Sequence, residues 1–267
     1  MKENNRQTSR RKVLKTIGAS TIGLSTAGTV TAAQENQFRR DLERARRLRE
    51  KTGDNDKFVK YLRKKGYPVW TTSTQSPMQS SHWGEEDGLS TSRLYDGNMT
   101  GTLNITAWHR NCNPDPYDIY FEYTFDLNTG DNAWGVESKD GFSIGWPDNT
   151  FEIENDSWVN SSNVEFYDRS NMLNGLSFKY HDAVHIDRND SDWGYGGVHV
   201  RTESGYSDST TIAGKYVHTY KSLELCGFSV DAGGGMSWDF CANGEKDYMG
   251  HTQKDWSEAD HNWANCM

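Results

Sequence analysis

Residues 83–267 predict an all-β fold, an antiparallel β-sandwich or jelly-roll-like domain of about ten short strands, with a closed barrel as the alternative. Three observations carry this. After Trp83 the apolar residues recur with a period of two; clusters of Asn, Asp and Gly interrupt them at short intervals; and no helical periodicity separates the runs. The chain shows no internal repeat.

The clearest alternation is in two runs. Leu103, Ile105 and Ala107 alternate with Asn104 and Thr106, and Ile119, Phe121, Tyr123 and Phe125 alternate with Tyr120, Glu122 and Thr124. Further strands are expected at 141–146, 151–154, 163–167, 175–181, 197–203, 210–219, 222–230 and 236–242, separated by turns such as Asn128-Thr129-Gly130-Asp131 and Asp148-Asn149. A segment of this size can bury one sizeable core. The 12% aromatic content, including ten Trp, supplies that core and excludes a wholly disordered chain.

Residues 34–66 have a different period. Phe38, Leu42, Ala45 and Leu48 fall at helical spacing, with Gly53 placed as a C-terminal cap. Asp54 is placed to cap a second helix carrying Phe58, Val59 and Leu62, which ends at Gly66 before Pro68. This basic helical hairpin is read first as a solvated extension or spacer. The alternatives are a pro-segment, or a basic arm docking on the acidic domain or an anionic envelope surface. Residues 67–82, rich in Thr and Ser, are expected to form a linker.

The chain begins with a strong address signal. Ser9-Arg10-Arg11-Lys12-Val13-Leu14-Lys15 precedes an uncharged, Gly/Ser/Thr-rich stretch from Thr16 to Ala33 that ends in small residues. This is the layout of a twin-arginine signal peptide over residues 1–33, in which Arg10 and Arg11 would engage the twin-arginine translocase. The middle stretch is too weakly apolar for a stable membrane span. No cysteine follows the cleavage region and no apolar tail closes the chain, so no stable membrane anchor is expected. The expected location is secreted and extracellular.

Charge is divided unevenly. Residues 67–267 hold eleven Lys/Arg against thirty-one acids, a balance of −20 that the basic first 66 residues bring to −9 overall. A Lys-poor, Asp-rich surface keeps a protein hydrated where salt screens charge repulsion. The same field argues against a nucleic-acid partner. Leader and composition together resemble exported proteins of haloarchaea. That resemblance implies folding before the membrane is crossed.

Four cysteines in an exported chain allow three pairings. If the turn between strands 222–230 and 236–242 is centred at 233.5, Cys226 and Cys241 face each other directly, the geometry of a cross-strand disulfide. That pairing leaves Cys112 with Cys266. A four-cysteine zinc site is disfavoured because no C-x-x-C pair exists.

Several motifs bear on chemistry. Gly141-Phe142-Ser143-Ile144-Gly145 matches the G-x-S-x-G string of serine hydrolases, but its flanks alternate like a strand and lack the strand–turn–helix elbow. His181, His185 and Asp187 share strand parity, and with His199 they are the weak catalytic or metal candidates. Asp187, Asn189 and Ser191 resemble the start of a calcium loop, although Asp192 stands where that loop requires Gly. A structural Ca²⁺ is the one cofactor considered; otherwise none is expected. Trp83, Trp108, Trp134, Trp146, Trp158, Trp193 and Trp238 could include a sugar-stacking platform, with core packing the ordinary use of most. Asn98, Asn104, Asn155, Asn160 and Asn189 head glycosylation sequons.

The reading that follows is a secreted, salt-adapted, disulfide-stabilised β-sandwich, more a binding or surface-interaction module for a glycan or cell-surface component than an enzyme. Two alternatives stand beside it: an exported antimicrobial or toxin-like protein with a basic pro-region, and a secreted hydrolase using the His/Asp cluster.

Overall fold

The computed structural model describes residues 26–78, 97–108, 118–129, 140–154, 157–170, 174–180, 192–202, 210–220, 225–232, 234–241 and 245–256. Among the described residues, two helices, α1 (Thr26–Glu50) and α2 (Asn55–Lys64), precede thirteen strands. The strands are antiparallel throughout, in two main sheets and a separate hairpin. The fold is an all-β sandwich with a helical hairpin at its N-terminal end. No described helix is long and apolar enough to cross a membrane.

The first sheet is ordered β1 (Val69–Met78), β2 (Gly97–Trp108), β3 (Asp118–Thr129), β9 (Asp192–Thr202) and β5 (Phe151–Ile153), with β6 (Val159–Asn160) also pairing with β9. The second is ordered β13 (Glu245–Trp256), β10 (Thr210–Tyr220), β4 (Asp140–Gly145), β8 (Gly175–Tyr180) and β7 (Val164–Arg169). Between them lies an aromatic-rich core. Ile119, Phe121, Tyr123 and Phe125 of β3 meet Phe142, Ile144, Phe178 and Tyr216 of the second sheet, all at most 1% exposed. Alternation dictates this, because the odd residues of β3 share one face.

The even residues of β3 face the other way, and the helical hairpin covers them. Phe38, Leu42 and Ala45 of α1 and Phe58, Val59 and Leu62 of α2 pack with Val69 and Tyr120 into a second buried cluster. Gly53 (φ 65°) lets the chain reverse between the helices; Asp54 Oδ1 then caps α2 by accepting from the Asp56 amide at 2.8 Å. The hairpin is therefore a layer of the fold and not a solvated extension or spacer.

Residues 67–82, expected as a linker, instead contribute β1 along the edge of the first sheet. Its Thr and Ser side chains pair across the ladder: Thr71 Oγ1 donates to Asn104 at 2.9 Å, and Ser73 and Thr102 share a hydrogen bond at 2.8 Å. Hydroxyl and β-branched residues that look like a linker in isolation suit a strand once a partner is supplied.

On the outer side of the second sheet lies the hairpin of β11 (Leu225–Val230) and β12 (Met236–Phe240). Leu225, Phe228, Val230, Met236 and Trp238 pack on Ala213 and Val217. The hairpin can sit this close because β4 presents glycines. A Cβ on Gly141 would lie 2.8 Å from Leu225, and one on Gly145 would lie 2.9 Å from Met236. Between them Ser143 Oγ meets Met236 Sδ at 3.1 Å and is fully buried. The G-x-S-x-G string is thus a strand whose small residues seat a hairpin. Cys226 and Cys241 are disulfide-bonded, with Cα atoms 5.5 Å apart. The register differs from that expected: Asp231 and Gly235 close the turn, so the ladder is centred on 233, and Cys226 lies in a bulge between Leu225 and Gly227.

Candidate functional site

The outer face of the first sheet, beneath and beside the helical hairpin, holds most of the buried polar chemistry. The even residues of β3 (Asp118, Tyr120, Glu122, Thr124 and Asp126) form a row, and α1 lays Arg39, Arg46 and Arg49 along it.

At one end, Arg39 sits among three carboxylates, pairing with Glu154, with Glu35 at 3.3 Å and with Asp118 at 3.5 Å. Carboxylate oxygens of Glu35, Asp118 and Glu154 lie within 4.8 Å of one another, spacing that would suit a cation. Arg39 already supplies that positive charge, and Arg201 adds a second on Glu154, so the cluster reads as an ion-pair network pinning α1 to the sheet. His199 belongs here. It is 5% exposed, shares a 2.8 Å hydrogen bond between Nδ1 and Asp118, and packs against the rings of Phe38 and Tyr120. His199 thus stands in a packed structural couple. His181, His185, Asp187, Asn189 and Ser191 lie outside the described residues, as do Arg10, Arg11, Cys112 and Cys266. Asp192, which stands where the expected calcium loop requires Gly, opens β9.

At the centre, Arg49 makes a bidentate ion pair with Glu122, both at most 1% exposed. The guanidinium lies between the rings of Phe58 and Tyr195, at 4.7 and 4.1 Å from their centroids. Tyr120 Oη donates to Glu122 at 2.8 Å. Burial, then the Glu122 charge, pushes the Tyr120 phenol well up, so it remains a neutral donor. Asn104 joins through Asn55 at 3.0 Å and is 1% exposed, which keeps this sequon from an enzyme acting on the folded domain. Asn160 is half-buried and donates to the Ser161 and Val164 carbonyls, whereas Asn98 is exposed.

At the other end the polar face opens into a cleft of about 360 Å³, walled by the turn between the helices at Gly53, Asp54 and Asn55. Its floor is three strands wide. Thr100 is paired with Asp126 across β2–β3, and Asp126 with Trp193 across β3–β9. The neighbouring row places Thr102, Thr124 and Tyr195 side by side in the same way. Hydroxyl, carboxylate and indole are thereby held adjacent by ladder pairing. The Trp193 ring lies parallel to that of Tyr195, with centroids 6.2 Å apart, and Tyr195 is fixed by Arg49 and by a 2.7 Å bond from its hydroxyl to Glu50. Burial pushes the Asp126 carboxyl up, and no cation pairs with it among the described residues.

Of the seven tryptophans singled out, Trp146 and Trp238 are buried, and Trp158 is stacked on Phe166 at 4.2 Å. Trp108 is packed against the helices. Trp83 and Trp134 lie outside the described residues. Trp193 lines the cleft. Asp126, Thr100 and Thr124 escaped sequence reasoning; the signal for them was strand alternation, which put them on one face but could not say that the helices stop short of them.

No family model and no curated protein matches this chain. Among solved structures it is similar to a chain described as a pore forming protein, at 10% identity, covering 72% of this chain and 93% of that one, with a TM-score of 0.34. It is also similar to the Clostridium perfringens NetB toxin in its membrane-inserted form (9% identity, 73% and 98% coverage, TM-score 0.30). A third is the seventh ScaB type I cohesin from Pseudobacteroides cellulosolvens (11% identity, 45% and 74% coverage, TM-score 0.27). Likeness at these scores transfers no activity to this chain.

Proposed function

We propose that this β-sandwich is an exported extracellular binding module that recognises a component of the cell envelope at the cleft beside Trp193. The observation that carries the reading is the adjacency of Thr100, Asp126 and Trp193 across three strands under the α1–α2 turn. Concave sites that join an aromatic ring to a few convergent polar groups are the usual form of ligand pockets, and 360 Å³ lies in their lower range of about 300–1,000 Å³. The other clusters are occupied by their own partners: His199 by Asp118, Arg49 by Glu122, Arg39 by the three carboxylates. The twin-arginine leader and the acidic, Lys-poor surface support a role outside the cell in high salt.

The test is co-sedimentation of the purified protein with washed cell envelopes in molar NaCl. Wild type is expected to sediment, and Trp193→Ala to shift the half-saturating envelope concentration by about tenfold, the effect of about 1.4 kcal/mol of lost contact. Wild type remaining in solution, or Trp193→Ala sedimenting like wild type, would overturn the assignment.

A further inference from the structure

We infer that the ligand of the Trp193 cleft is a neutral polyhydroxylated sugar, one pyranose lying against the indole while its hydroxyls donate to Asp126. This rests on the cleft being a binding site and deepens that reading by naming the class of ligand.

The lining selects by charge first. An anionic sugar or phosphate needs a free cation, and among the described residues the lining has a single cation, Arg49, which is committed to Glu122; the lysines of α2 nearby, Lys57 and Lys60, lie 4.0 Å from Asp54 and 3.6 Å from Asp56. Anions are further repelled by Asp54, Asp56 and Asp126, which all line the opening. The polar groups select next. Thr100 supplies a hydroxyl that both donates and accepts, and Asp126 accepts only, while behind them Thr102, Thr124 and Asn55 are already bonded to Ser73, to the Thr102 carbonyl, and to Arg49 and Asn104. That mixture matches vicinal hydroxyls, each of which needs one acceptor and one donor. A compact amine would leave most of it unused, and its attraction to Asp126 would be screened in the salt for which the surface is built.

The ring selects last. Trp193 is half-buried and held by its own fold: its carbonyl accepts from Asn163 Nδ2 at 2.9 Å, and its ring is backed by Tyr195. A rigid indole beside a carboxylate suits a ligand with one apolar C–H face and a polar rim, which is the shape of a pyranose.

Isothermal titration calorimetry in molar NaCl tests this on the whole exported chain. The probes are maltotriose, mannotriose and triacetylchitotriose, with trigalacturonate and spermidine as charged controls. At least one neutral trisaccharide is expected to bind, with Trp193→Ala and Asp126→Asn each weakening it about tenfold and Asp148→Asn, distant from the cleft, leaving it unchanged. Near-ultraviolet circular dichroism of the variants separates loss of contact from loss of fold. Binding of spermidine or trigalacturonate in place of the neutral sugars would overturn the ligand class while leaving the cleft as the site. No binding by any probe, with Trp193-dependent envelope sedimentation intact, would also overturn the sugar assignment. Loss of that sedimentation dependence would remove the site itself.

Discussion

Arg49 and Glu122 meet across the helix–sheet interface with no solvent around them, the guanidinium nitrogen Nη2 2.9 Å from Oε2. They stand 73 residues apart in sequence, and their pairing makes the helical hairpin part of the domain.

Removing one member leaves the other charged and buried, an arrangement that costs about 3–5 kcal/mol. Glu122→Leu is therefore expected to lower stability by about that much. The double variant Arg49→Met/Glu122→Leu should lose less than the two single losses together, because neither charge is stranded. Urea unfolding of the three variants checks both statements.

The hairpin's apolar contacts lead to a statement about processing. Phe38, Leu42, Phe58 and Leu62 are fully buried against the sheet, and Phe58→Ala alone should cost about 3–5 kcal/mol. A chain starting at Tyr67 is expected to aggregate or melt far below one starting at Gln34. The mature N-terminus, read by mass spectrometry of the culture supernatant, is expected near Gln34, with α1 from Gln34 onward and all of α2 retained.

Asp41 ties the two helices together and makes their docking acid-sensitive. Burial works against its charge, but hydrogen bonds from Gln37, Tyr61 and Tyr67, with Lys65 at 3.5 Å, outweigh it and hold the carboxyl below its ordinary value. A carboxyl more acidic in the folded than in the unfolded state stabilises fully above the unfolded value of about 4 and loses that contribution as pH falls through the folded one. Asp41→Asn should lower the melting temperature at neutral pH and flatten its decline in acid.

Asp126 should behave in the opposite way. Its carboxyl is pushed up by burial, so its ionised form opposes folding at neutral pH. Asp126→Asn is expected to hold or raise the melting temperature at neutral pH while weakening sugar binding. Any gain should vanish once the pH falls below the ordinary carboxylate range, where the wild-type residue is also neutral. Scanning calorimetry at two pH values reads this directly.

Much of the β architecture was legible because alternation is a local property. Ile119, Phe121, Tyr123 and Phe125 declare their face without reference to any partner. Gly53 and Asp54 likewise announced the turn between the helices. What escaped depended on distant partners. Val69–Met78 reads as a linker until β2 lies beside it, and Arg49 as a solvated cation until Glu122 is found beneath it. The disulfide partners followed from hairpin arithmetic, but the bulge at Cys226 did not, because a three-residue loop closed by Asp231 and Gly235 shifts the centre by half a position. The cleft was hidden for a related reason: alternation put Asp126 on the outer face, and only the end of the helical cover makes that face a cleft.

The glycine-seated hairpin has a consequence for the order of assembly. Its apolar side is held by Gly141, Gly145 and Val217, whereas Cys226 and Cys241 stand exposed at its open end. Shape can therefore be completed before any sulfur is oxidised, and the thiols remain within reach of an oxidant afterwards. A protein that finishes folding in a reducing compartment and is sealed in an oxidising one needs its last covalent step on the outside.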